Sequence, residues 1–105
     1  IIPHPILLDM PVLPKQDIKS HILWKLHIKR IYGGKHTAIE NVGKGIPLHL
    51  KGLYHDMTKE LIKEGYILPK PTNYGLQVSL NPRKAGEIIE IVTEFARKQK
   101  KFLIK

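Results

Sequence analysis

The chain has 105 residues, with 18 Lys and Arg against 9 Asp and Glu, a net charge of +9, and no cysteine. That length builds one small domain with short tails rather than a two-domain cleft, and the missing cysteines exclude disulfide frameworks, thiolate nucleophiles and Cys-based zinc sites. An apolar content of 42% is too high for a disordered chain, so the positive excess belongs to a folded domain and implies an acidic partner: nucleic acid, an anionic membrane or an acidic protein.

Residues 1–15 hold Pro3, Pro5, Pro11 and Pro14. This density excludes helix and predicts an extended arm, with Ile6, Leu7, Leu8 and Val12 laid along the domain or a partner. Pro11-Val12-Leu13-Pro14 matches PxxP but lacks a flanking Arg, a weak SH3-type signal. The arm has no basic n-region or apolar h-region of a signal peptide. No apolar run approaches the ~20 residues that span a bilayer, so the expectation is a cytoplasmic chain without a membrane partner.

Asp17 is the cap candidate for a first helix running to about Arg30. Ile18, Ile22, Leu23 and Leu26 give it a core stripe, and Gly33-Gly34 is its stop signal. Thr37, with Glu40 three residues later, has capping-box spacing and predicts a short helix over Thr37–Val42. Gly43-Lys44-Gly45-Ile46-Pro47 reads as a turn; it lacks the length and the Ser/Thr of a phosphate-binding loop. A third helix fits Leu48–Glu64, with Leu50, Leu53, Met57 and Leu61 on one face and Gly65 in the C′ position. Gly52 inside it costs ~1 kcal/mol relative to Ala, which close backbone packing would explain. Tyr66–Pro69 and Leu76–Leu80 read as strands, with Lys70–Gly75 as the turn between them. Asn81 and Pro82 cap and open a final helix that carries Ile88, Ile89, Ile91, Val92, Phe95 and Ala96.

The order helix, short helix, turn, helix, hairpin, helix predicts a mainly α fold with a two-stranded β-hairpin wing. That is a winged helix-turn-helix domain over 16–96, between the arm 1–15 and a basic tail 97–105. Glu60-Leu61-Ile62-Lys63-Glu64-Gly65-Tyr66-Ile67 resembles the end of a recognition helix leading into a first wing strand. Gly33-Gly34-Lys35-His36-Thr37 and Tyr74-Gly75-Leu76-Gln77-Val78-Ser79-Leu80-Asn81-Pro82 are similar to small archaeal winged-helix proteins. The resemblance implies a nucleic-acid-binding module in which 48–64 enters a major groove and the hairpin tip at 70–75 touches phosphate or minor groove. The superfamily also includes members that bind RNA or only protein.

Charge is concentrated in two blocks, +4 over residues 29–51 and +5 over 97–105, against +1 over 1–28 and −1 over 52–96. The blocks nominate Lys29, Arg30, Lys35, Lys44, Arg97, Lys98, Lys100 and Lys101 as phosphate contacts, with Lys70 at the hairpin. Solvated faces of a Lys-rich thermophilic protein are the competing explanation. Helix 48–64 sets Lys51, Lys59 and Lys63 against Asp56, Glu60 and Glu64 and has no Arg, so it cannot make the bidentate guanine contact. Its groups free of the apolar face are His49, Lys51, Tyr54, His55 and Lys59, unless the lysines are spent on pairing along the helix with their neighbours Asp56 and Glu60. Trp24, Tyr32, Tyr54, Tyr66 and Tyr74 are expected in core or hairpin packing rather than stacked on bases.

His21/His27 and His49/His55 are each six apart, not the three or four that set two ligands on one helix turn. Ser20 and Ser79 lack a nucleophile elbow. No metal, cofactor or catalysis is expected. The expected function is a non-catalytic DNA-binding regulator or accessory protein, with RNA or ribosome binding and a protein-interaction module as alternatives. A homodimer through the helix at 83–96 follows from its apolar residues lying on more than one line.

Overall fold

A computed structural model describes residues 15–103, with side chains through Gln99. The expected arm, apart from Lys15, and the last two residues of the expected tail lie outside the described residues. In chain order the elements are α1 (Lys15–Ile28), β1 (Thr37–Ala38), a 3-10 segment (Ile39–Gly43), α2 (Leu48–Lys63), β2 (Ile67–Thr72), β3 (Gly75–Leu80), a 3-10 turn (Pro82–Lys84) and α3 (Ala85–Leu103). The fold is mainly helical, with a small antiparallel sheet of three strands in the order β1-β3-β2.

The stripe on α1 is the centre of the core. Ile18, Ile22, Leu23 and Leu26 are buried against Tyr54, Met57 and Leu61 of α2, Ile67, Val78 and Leu80 of the sheet, and Ile88 and Val92 of α3. Side chains of this size contribute roughly 1.5–3 kcal/mol each when fully buried. Tyr54 therefore belongs to the core and not, as expected, to the free face of its helix. Asp17 lies within the first turn of α1 rather than capping it, where its charge still complements the helix dipole.

Helix α1 stops before Arg30, ahead of Gly33-Gly34. Arg30 takes a left-handed φ of 55°, so its N–H bonds the carbonyl of His27 at 2.8 Å and the N–H of Ile31 bonds that of Leu26 at 3.0 Å. This is a Schellman closure with Arg where Gly is usual. Burial of Leu26 and Ile31, the apolar pair of that motif, offsets the ~1–2 kcal/mol a side chain costs in this conformation. The same closure ends α2 at the predicted glycine: Gly65 has φ 86°, its N–H reaches Ile62 at 3.1 Å, and that of Tyr66 reaches Leu61 at 3.0 Å.

The helix expected over Thr37–Val42 is a strand followed by a 3-10 segment. Thr37 and Ala38 pair with Val78 and Gln77 of β3, and the Thr37 hydroxyl accepts from the Asn41 side chain at 2.8 Å instead of capping. So short a run is a poor α-helix nucleus, and an open strand edge satisfies its backbone at once. The hairpin is also longer than expected. β2 continues through Pro69 and Pro71 to Thr72, and the turn shrinks to Asn73-Tyr74. β2 is an edge strand, so the prolines, two residues apart, fall where an N–H would face solvent and not the ladder.

Asn81 ties the end of the sheet to the start of α3 as predicted. Its side-chain oxygen accepts from the N–H of Arg83 at 3.0 Å, and its amide donates to the carbonyl of Gly65 at 2.8 Å. The last helix continues to Leu103, so the basic run 97–103 lies on α3 and is not a separate tail. Gly52 is exposed with open space where a Cβ would sit; nothing in the structure explains it.

Candidate nucleic-acid interface

Several of the expected cations lie where the end of α1 meets the loops around β1 and the 3-10 segment. Lys25, half-buried on α1, donates from Nζ to the carbonyls of Val42 at 2.7 Å and Lys44 at 2.8 Å. This ammonium closes the carbonyl end of the 3-10 segment and holds the Lys44 turn against α1. One helical turn further on, Lys35 Nζ donates to the carbonyl of Lys29 at 3.3 Å, drawing the loop onto the same helix end. On the other side of the turn the Lys51 stem packs over Gly43, whose added Cβ would stand 3.9 Å from its Cγ. A hollow of about 240 Å³ separates the 3-10 segment from α2, with Lys51 and His55 on one wall and Glu40 on the other.

Lys29, Lys35, Lys44 and Lys51 lie on segments joined by these contacts, with exposed Arg30 next to Lys29 and half-buried His36 next to Lys35 in the chain, and His55 lining the hollow. We call the joined segments and the cations they carry the basic band; Glu40 lines the hollow with Lys51 and His55. Burial first, and the charge of Lys29 second, pull the Lys25 ammonium below its usual pKa. Nothing in the sequence marked Lys25 as more than a polar position on α1.

The remaining predicted contacts lie elsewhere. His49 and Lys59 are exposed on α2, a turn or so to either side of Lys51 and His55. Lys70 is not at the hairpin tip but within β2, opposite Gln77; the tip presents Tyr74, 97% exposed. There the Thr72 hydroxyl donates to the carbonyl of Gly75 at 2.7 Å and accepts from the N–H of Tyr74 at 3.1 Å, which fixes the turn. Arg97 pairs with Glu94 on α3, and Lys98 borders a separate groove against α1. Lys100 and Lys101 fall within α3.

The charges of α2 are not spent as expected. Glu60 and Glu64 both pair with Lys19 of α1, at 3.0 and 2.7 Å, and not with the lysines of their own helix. The hydrogen bond to Glu64 raises the Lys19 pKa, and the bond from Lys19 lowers that of Glu60. Two of the three acids over residues 48–64 therefore share the Lys19 ammonium, while Lys51, Lys59, Lys63 and Asp56 are exposed. The aromatic residues largely pack as predicted. His21 stacks on Phe95 with centroids 5.4 Å apart and lies 2.6 Å through Nδ1 from the Tyr54 hydroxyl. Burial first, then Lys25, lowers the His21 pKa, and burial raises that of Tyr54. Both directions fit a tyrosine O–H donating to a neutral imidazole.

Among the described residues no group of three or more His, Asp or Glu is placed to hold a metal ion, and no helix is long and apolar enough to cross a membrane. Compared with protein-family models, curated proteins and solved structures, the chain matches none.

Proposed function

We propose that this chain is a non-catalytic winged-helix protein that binds nucleic acid, duplex DNA in preference, through phosphate contacts from Lys29, Arg30, Lys35, Lys44 and Lys51. The element order and the β1-β3-β2 sheet support the winged-helix reading. In it the 3-10 segment takes the place of the first helix of the helix-turn-helix pair, α2 is the recognition helix and β2–β3 is the wing. The observation that carries the function is the basic band, because the separate segments that bear its cations are tied together by Lys25 and Lys35 on backbone carbonyls. Contacts of this kind position a protein on a backbone and give affinity without sequence choice. His49, His55 and Lys59 are exposed on α2 to reach base edges and the helix has no Arg, so sequence preference is weak.

The test is titration of labelled duplex DNA and structured RNA by fluorescence anisotropy over a range of salt. Five phosphate contacts give a log–log salt slope of roughly −4 to −5 on duplex DNA. Lys44→Glu with Lys51→Glu abolishes most of that binding, whereas Lys70→Glu changes it little. Binding that survives the double reversal removes the band from the interface, tighter binding to RNA reassigns the partner, and no binding to either at low salt refutes the function.

A further inference from the structure

The last helix separates its charges along its length. Residues 85–94 contain Glu87, Glu90 and Glu94 and no base, while residues 95–103 contain Arg97, Lys98, Lys100 and Lys101 and no acid. Beside the acidic half, a groove of about 300 Å³ runs between α1 and α3. Half-buried Ile91 and Phe95 and the nearly buried Ser20 line it, and Asp17, Glu90 and Glu94 border it, with Lys98 at the end nearest the basic half. An apolar groove edged by carboxylates on a chain of net charge +9 calls for a basic occupant with apolar side chains.

We propose that the occupant is the basic half of α3 from a second copy of this chain, packed antiparallel to the first. At 100° per residue, Ile91, Glu94 and Lys98 share one side of α3 with Phe95 bordering it, and Glu87, one turn earlier, accepts from the Tyr66 hydroxyl at 2.9 Å. An antiparallel partner centred near residue 96 sets Glu94, which pairs with Arg97 of its own helix, opposite Lys98 of the second copy. The twofold axis repeats every contact. A parallel pair would set acid over acid and base over base, which costs affinity. The helix measures about 28 Å over its 19 residues, long enough for both halves to be used at once. This assembly uses a face that the basic band does not occupy, and it stands whether or not the chain binds nucleic acid.

Sedimentation equilibrium of the whole chain, with two charge-block variants, tests it. Glu87→Lys with Glu90→Lys and Glu94→Lys makes α3 wholly basic; Lys98→Glu with Lys100→Glu and Lys101→Glu makes it mainly acidic. All of these positions except Lys100 and Lys101, whose side chains are not described, are exposed, and circular dichroism checks that each variant is folded. Wild type dimerises, each variant alone dimerises at least roughly tenfold more weakly, and an equimolar mixture of the two restores the dimer. Phe95→Glu, placed in the groove itself, also weakens the wild-type dimer. A wild type that stays monomeric at every concentration means that the arm or another partner covers the groove, and overturns the proposal. So does a dimer indifferent to the blocks, or a mixture that fails to reassociate.

Discussion

Replacing Lys25 by Met keeps most of the aliphatic stem and removes the ammonium that joins α1 to the 3-10 segment and the Lys44 turn. Two hydrogen bonds from a charged donor are lost, to the carbonyls of Val42 and Lys44 at 2.7 and 2.8 Å. Bonds to charged groups contribute about 1.5–3 kcal/mol each, but two effects reduce the sum. Partial burial already disfavours the ammonium, as its lowered pKa records, and water reaches the Lys44 carbonyl once the side chain is gone. The net expected loss is about 1–3 kcal/mol. At roughly 4–8 °C per kcal/mol for a domain of this size, Tm falls by about 5–20 °C. Lys29→Met is the control: it removes an equal charge one turn away, from an exposed side chain, and shifts stability by no more than about 0.5 kcal/mol. Thermal melts followed by circular dichroism give both values. Amide exchange at residues 43–46 adds a local readout, because a turn released from α1 opens more often. If Lys25→Met and Lys29→Met melt together, the clamp contributes nothing and the band is not held in place as argued.

Three further outcomes are expected. His21 has a pKa below its ordinary value of 6.5 because it is partly buried. The unfolded chain therefore binds the proton first as pH falls through about 6.5, and the contribution of neutral His21 to stability, complete above that value, is lost toward the lower folded pKa. The Tm of the wild type drops more between about pH 7 and 5 than that of His21→Phe; parallel profiles would show that His21 is not the group responsible. Ser79 is 1% exposed, and its hydroxyl has no hydrogen-bond partner among the described residues. Ser79→Ala removes an unsatisfied group and leaves stability unchanged or raises it by up to about 2 kcal/mol; a loss above about 1 kcal/mol in urea denaturation reveals a partner. Tyr74→Ala leaves Tm unchanged and, if the hairpin tip stacks on an unpaired base, weakens anisotropy-measured binding to duplexes with single-stranded ends by about 1–3 kcal/mol. Equal binding removes the tip from the interface.

Elements whose signals are local were legible in the sequence. The α1 stripe, the Gly65 stop and the Asn81-Pro82 opening each depend on residues a few positions apart, and each forms as read. The departures all involve a partner distant in the chain. Capping-box spacing at Thr37 and Glu40 lost to a strand edge forty residues away, whose pairing satisfies the backbone that the cap would have served. Pro69 and Pro71 signal a turn only if the strand is internal; at a sheet edge they extend the hairpin. Arg30 ends a helix in a conformation that favours glycine because Ile31 and Leu26 are buried together beneath it. In the candidate site, sequence blocks located the basic residues, but the chemistry that assembles them, Lys25 on two carbonyls and Lys35 on a third, joins positions that no spacing rule connects.

The charge of α2 shows why the formal charge of a helix is a poor guide to the field it presents. By sequence its three lysines and three acids cancel over residues 48–64, which argued against a recognition role. In the fold Lys19, its side chain largely covered, draws Glu60 and Glu64 toward α1. Lys51, Lys59, Lys63 and Asp56 are exposed on α2, while Glu60 and Glu64, still partly exposed, share one ammonium. With Lys19 counted, the charges on and against residues 48–64 come to +1 rather than zero. Such an excess raises affinity for any duplex alike. Discrimination among sequences needs donors and acceptors aimed at base edges, and the absence of arginine from α2 keeps that contribution small. On the function proposed above, this surface would hold a nucleic-acid backbone more than select a sequence.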